Sequence, residues 1–93
     1  MPAFAADAER GETVFNANCA FCHAGGGNNL NPEKNLKKES LEKFLEGGRT
    51  MEAIMNNVTN GKNGMPAFRG RLRDEDIANV SAYVMSASEA GWN

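Results

Sequence analysis

All the cysteine and histidine of this 93-residue chain falls in one run, Cys19-Ala20-Phe21-Cys22-His23. Two thiols three positions apart at the end of a helix can each form a thioether with one vinyl group of a single porphyrin. The adjacent imidazole can then turn under the ring to reach the iron, which is why C-x-x-C-H marks c-type haem attachment. Three other chemistries use the same residue types. A structural zinc site needs four nitrogen or sulfur ligands, and two cysteines with one histidine leave it short. A thioredoxin-like dithiol sits beside a βαβ pattern, and no strand pattern is visible. A disulfide closing so short a loop constrains the unfolded chain little. One covalent haem c, bound through Cys19 and Cys22 with His23 as an axial iron ligand, is the reading that uses all three residues.

A single histidine excludes bis-histidine ligation, so a methionine is the natural donor on the other face. Met51, Met55 and Met85 lie within helical patterns, where a flexible thioether serves as core filler. Met65 lies instead in a glycine-rich loop, before Pro66, where the backbone is free of helical geometry. It follows His23 by 42 residues, and at about 3.3 Å per extended residue such a stretch can wrap the far face of a haem. His23 and Met65 are therefore the expected axial pair. With both positions filled, substrate cannot readily coordinate, so electron transfer is favoured over catalysis; a thioether ligand also raises the reduction potential.

Positioning these groups falls to four expected helices, and no segment alternates with the period of a strand, so the chain reads as all-α. Asp7 is the expected cap of a first helix ending near Asn18, with Val14 and Phe15 inward and Gly11 offering a close-contact surface. A loop from Ala24 to Asn35 precedes a short helix from Glu39 to Glu46, carrying Leu41, Phe44 and Leu45 and stopping at Gly47-Gly48. Thr50 caps the third helix, on which Met51, Ile54, Met55 and Val58 share a face before Gly61 ends it. The last begins near Asp74 and buries Ile77, Val80, Tyr83, Val84 and Ala87.

At 41% hydrophobic and 24% charged residues the chain reads as a globular soluble domain, and so short a chain gains from a ligand that fills its centre. The net charge of −2 is scattered, with none of the basic stripe that nucleic acid binding requires. Apolar runs are too short to span a membrane. Met1-Pro2-Ala3-Phe4-Ala5 reads as a signal-processing remnant or a cloning scar, leaving 6–93 as the single domain.

The sequence resembles the cytochrome c6 family from Ala6 onward. The likeness is carried by Gly11-Glu12-Thr13-Val14-Phe15-Asn16-Ala17-Asn18-Cys19-Ala20-Phe21-Cys22-His23-Ala24-Gly25-Gly26, by Pro32-Glu33-Lys34, and by Leu45-Glu46-Gly47-Gly48. Further on it is carried by Asn60-Gly61-Lys62-Asn63-Gly64-Met65-Pro66-Ala67-Phe68 and by Gly70-Arg71-Leu72 before Asp74-Glu75-Asp76-Ile77. The resemblance implies the small class I cytochrome c fold, four helices around one covalent haem, with haem contacts at Leu30, Pro32 and Asn57. It implies a carrier from the cytochrome b6f complex, through cytochrome f, to photosystem I in the thylakoid lumen, with an apolar haem edge and Arg71 helping the partner dock; a monomer is expected. A periplasmic donor to a respiratory oxidase is the alternative, followed by a small haem sensor or peroxidase. The chain departs from the family at Asn57, one methylene shorter than the usual glutamine, and at Asn31, Gly64 and Arg69. Arg69 makes the docking rim more basic. Arg73 stands where a capping serine or threonine is usual, leaving Asp74 as the expected cap.

Overall fold

The Asp7 carboxylate accepts the N–H groups of Glu9 and Arg10 at 2.9 and 3.2 Å, satisfying donors that a helix start leaves open. From this cap α1 runs over Ala8–Asn18 in the computed structural model, which describes residues 6–29, 32–61 and 65–92. The remnant expected at residues 1–5 lies outside the described residues, as do Leu30, Asn31 and Gly64. A four-residue helix follows, α2 (Ala20–His23), then one 3₁₀ turn over Ala24–Gly26. The remaining helices are α3 (Lys38–Phe44), α4 (Met51–Asn60) and α5 (Asp74–Ala90). Among the described residues there is no strand, only an isolated bridge between Arg69 and Leu72, and no helix is long and apolar enough to cross a membrane.

The crossing of α1 over α5 depends on Gly11. A Cβ there would stand 1.9 Å from the Asn79 carbonyl oxygen and 2.9 Å from Tyr83 Cβ, so the two backbones meet where no side chain fits. Phe15, one turn along, packs its ring 5.2 Å from that of Tyr83. The Asn79 side-chain oxygen accepts the Asp7 N–H at 2.8 Å, which ties the start of the chain's first helix to its last. On α4, Thr50 accepts the Ala53 N–H at 3.1 Å as the expected cap, and Ile54 and Val58 enter the buried cluster with Val80 and Val84 of α5.

Several local expectations are corrected. The cysteine motif forms a helical turn of its own, making five α-helices among the described residues where the periodicity suggests four. The helix expected to reach Glu46 stops at Phe44, because Leu45 takes an extended backbone and its carbonyl closes a turn with the Gly48 N–H at 2.8 Å. Phe44 is 39% exposed, and Tyr83 and Ala87 are half-buried rather than buried. Arg73 rather than Asp74 occupies the cap of α5: Asp76 reaches back to accept the Arg73 N–H at 3.3 Å, leaving Asp74 as the first helical residue.

Candidate functional site

Among the described residues the hydrophobic cluster contains eight buried ones, Phe15, Leu41, Ile54, Val58, Phe68, Ile77, Val80 and Val84. All but Ile77 line one cavity of about 580 Å³, a size within the roughly 300–1,000 Å³ of small-molecule and cofactor sites. Protein interiors are close-packed, so walls of this composition fit a large apolar group. Cys19, Cys22, His23 and Met65 line the same cavity, which brings together the residues singled out by their chemistry.

The turn of α2 explains how the attachment motif presents its groups. The Cys19 carbonyl accepts the N–H groups of Cys22 and His23 at 3.1 and 2.9 Å, so the motif is wound into a helical turn whose residues three and four apart share a face. The thiols are not joined in a disulfide, and burial pushes that of Cys19 up to about 11. The His23 Nδ1–H donates to the Gly27 carbonyl at 2.8 Å, which fixes the ring and turns Nε2, the other ring nitrogen, into the one available to a metal. Among the described residues no three His, Cys, Asp or Glu side chains converge on a metal position.

Met65 is delivered from the other side of the sequence by the segment after α4. Gly61 ends that helix with φ 71, and a Cβ on it would stand 2.6 Å from the Met65 carbonyl oxygen and 2.7 Å from the Ala67 nitrogen. Only glycine allows the loop to fold back so closely. The returning segment satisfies the open carbonyls of α4, with Phe68 N–H donating to Val58 at 3.0 Å and Arg69 N–H to Thr59 at 3.1 Å. Asn57, on the last turns of α4, donates its side-chain N–H to Met65 Sδ at 3.6 Å. The shorter amide therefore reaches the sulfur.

The family model described as cytochrome c oxidase, cbb3-type, subunit III matches residues 6–84. The cytochrome c6 of Porphyra purpurea is 59% identical over 90 residues, covering 97% of this chain and 80% of that protein. That of Bumilleriopsis filiformis is 58% identical over 88 residues, covering 95% of this chain and 100% of that protein. A solved cytochrome c6 from the diatom Phaeodactylum tricornutum has a TM-score of 0.92 at 62% identity, covering 92% of this chain and 99% of that one. The chain belongs to the cytochrome c6 family. As a cytochrome c6 relative it is an electron-transfer protein rather than an enzyme, carries one covalently bound haem c and has the class I cytochrome c fold.

The residues of this cytochrome c6 relative fit that group. An apolar cavity is flanked by two thiols, an imidazole whose Nδ1 is held by Gly27 and a thioether, the donor set that a covalent, iron-centred macrocycle requires. Not every candidate residue meets the cavity. Pro32 is exposed and does not line it; its carbonyl accepts from the Asn35 side chain at 3.3 Å in a surface turn. Arg71 lines it, with its guanidinium 5.1 Å from the Phe68 ring centroid, whereas Arg69 is turned away to donate to the Asn60 side-chain oxygen. Phe21 and Phe44 are among the lining residues to which the sequence assigns no role at the site: Phe21, 90% exposed, is a variable position between the cysteines, and Phe44 shows only helical spacing.

Proposed function

We propose that Cys19 and Cys22 would hold a haem through thioethers with His23 Nε2 and Met65 Sδ as its iron ligands, and that the protein carries electrons from the cytochrome b6f complex to photosystem I in a thylakoid lumen. The observation that carries the reading is the convergence of the C-x-x-C-H turn and Met65 on one apolar cavity. The bound haem supplies a one-electron couple at iron. The chain's own residues keep that couple in one geometry. Gly27 orients the His23 imidazole, Asn57 holds the Met65 sulfur, and the loop bonds to Val58 and Thr59 brace the segment that carries it. The buried apolar part of the lining keeps water from the centre of the cavity, and with His23 and Met65 both bound to it the iron would have no open position for a substrate.

Arg71 is the docking cation of this reading, because it lines the cavity and stacks on Phe68, beside the group that must give up its electron. The Arg69 contact with Asn60 keeps it as a second, more peripheral charge. The oxidase-subunit description of the matching family model favours one competing partner, a respiratory oxidase in a periplasm. Flash-induced re-reduction of isolated photosystem I tests the route. The expected result is a second-order reaction that slows as ionic strength rises, and that Arg71→Gln slows at low salt. Photosystem I left oxidised while a respiratory oxidase is reduced would assign the carrier to the periplasmic route instead.

A further inference from the structure

Gly26 follows His23 by three residues, is buried and has a left-handed backbone, φ 85. A Cβ on it would stand 2.6 Å from ring carbons of Trp92, so the indole rests directly on the glycine backbone. The ring is held in place from other sides as well. Its centroids lie 5.4 Å from Phe15 and 5.7 Å from Tyr83, and its Nε1–H donates to the Leu36 carbonyl at 2.9 Å. The Leu36 N–H donates in turn to the Gly26 carbonyl at 2.7 Å. Indole, Leu36 and Gly26 thus close a ring of contacts beside Gly27, whose carbonyl accepts the His23 Nδ1–H. Trp92 is also the one non-glycine residue among the described residues with positive φ, 63, a backbone that a bulky residue keeps only where its surroundings hold it.

We propose that Trp92 is a positioning residue for the proximal imidazole: by clamping Gly26 it fixes the Gly27 carbonyl, and with it the strength of the bond from His23 Nδ1. The role rests on the reading of His23 as the iron ligand. The hydrogen bond at the far nitrogen of a ligating imidazole sets ring orientation and basicity. A loosened Gly27 carbonyl leaves the imidazole a poorer donor to ferric iron, which raises the reduction potential.

The test uses the haem-loaded protein and two variants, Trp92→Ala and Trp92→Phe, the second keeping an aromatic ring but no donor to Leu36. Amide hydrogen exchange and redox potentiometry are the readouts. In Trp92→Ala, exchange at Leu36 and Gly27 is expected to speed by about tenfold or more while Val58 on α4 stays protected, and the potential to rise; Trp92→Phe falls between this variant and the parent. Parent-like exchange at both amides with an unchanged potential would overturn the clamp. Acceleration spread equally to Val58 would also overturn it, making Trp92 a residue of global stability alone. Should Trp92→Ala fail to fold, Trp92→Phe decides, by selective loss of Leu36 protection for the clamp and parent-like protection against it. Failure of the ligand reading shows separately, as His23 ring signals without a hyperfine shift in the oxidised parent, and would overturn the positioning role whatever the exchange data give.

Discussion

At the scale of single residues, the amide beside the methionine sulfur carries the most direct consequence. The Asn57 N–H points its positive end at Met65 Sδ, which favours the less positive, ferrous state of an iron bound to that sulfur. Removing the donor without removing the bulk, as in Asn57→Leu, is expected to lower the potential. A hydrogen bond is worth about 0.5–1.5 kcal/mol, which at 59 mV per tenfold change for one electron corresponds to roughly 20–60 mV. Potentiometry on parent, Asn57→Leu and Asn57→Gln checks this, with the glutamine variant keeping the donor. Tyr83 supplies a pH test. Burial first, and the Glu12 carboxylate second, raise its phenol above the ordinary 10.0. A raised folded-state value favours the protonated form, so the stability it contributes is complete below about pH 10 and lost as pH rises through the folded value. The melting temperature of the parent should therefore fall relative to that of Tyr83→Phe only above about pH 10, as followed by circular dichroism.

At the scale of helices, the α1–α5 crossing is the contact most sensitive to a single atom. Gly11→Ala gains about 1 kcal/mol of helix propensity, but its methyl would meet the Asn79 carbonyl at 1.9 Å, a backbone atom that cannot rotate away. Overpacking of this kind costs about 1–3 kcal/mol and occasionally more. Net destabilisation is expected, with a melting temperature lowered by several degrees while the haem spectrum is kept. The caps at Asp7 and Thr50 and the termination of α4 at Gly61 were legible in the sequence because each depends on one residue type at one position. The end of α3 was not. Leu45 continues the apolar spacing, but the turn through Gly47 and Gly48 needs it extended, a demand of the turn rather than of the periodicity. The Arg73 cap was missed for a similar reason: the satisfying carboxylate comes from Asp76, three residues on.

At the scale of the whole molecule, the core and the haem site are largely one object. Seven of the eight buried cluster residues line the cavity, so little apolar packing stands apart from the cofactor, and a chain of this size has little to spare. The double variant Cys19→Ala/Cys22→Ala, which cannot form thioethers, is expected to keep helical far-ultraviolet circular dichroism but lose near-ultraviolet signal and bind a hydrophobic dye. Retention of sharp cooperative melting without haem would contradict this. That Cys19, Cys22, His23 and Met65, the proposed donors, stand out in the sequence and line one cavity follows from chemistry that restricts the residue types. The clamp of Trp92 on Gly26 was not legible there, since 66 positions separate the pair and nothing in local pattern links a terminal tryptophan to a glycine run.

The ferric absorption spectrum of the parent and of Met65→Ala bears most directly on iron held between His23 and Met65. The parent should show the methionine-to-iron charge-transfer band, and the variant should lose it, fall in potential and bind carbon monoxide when reduced. A band that is absent from the parent, or that survives in Met65→Ala, would contradict the ligand pair on which the carrier function rests.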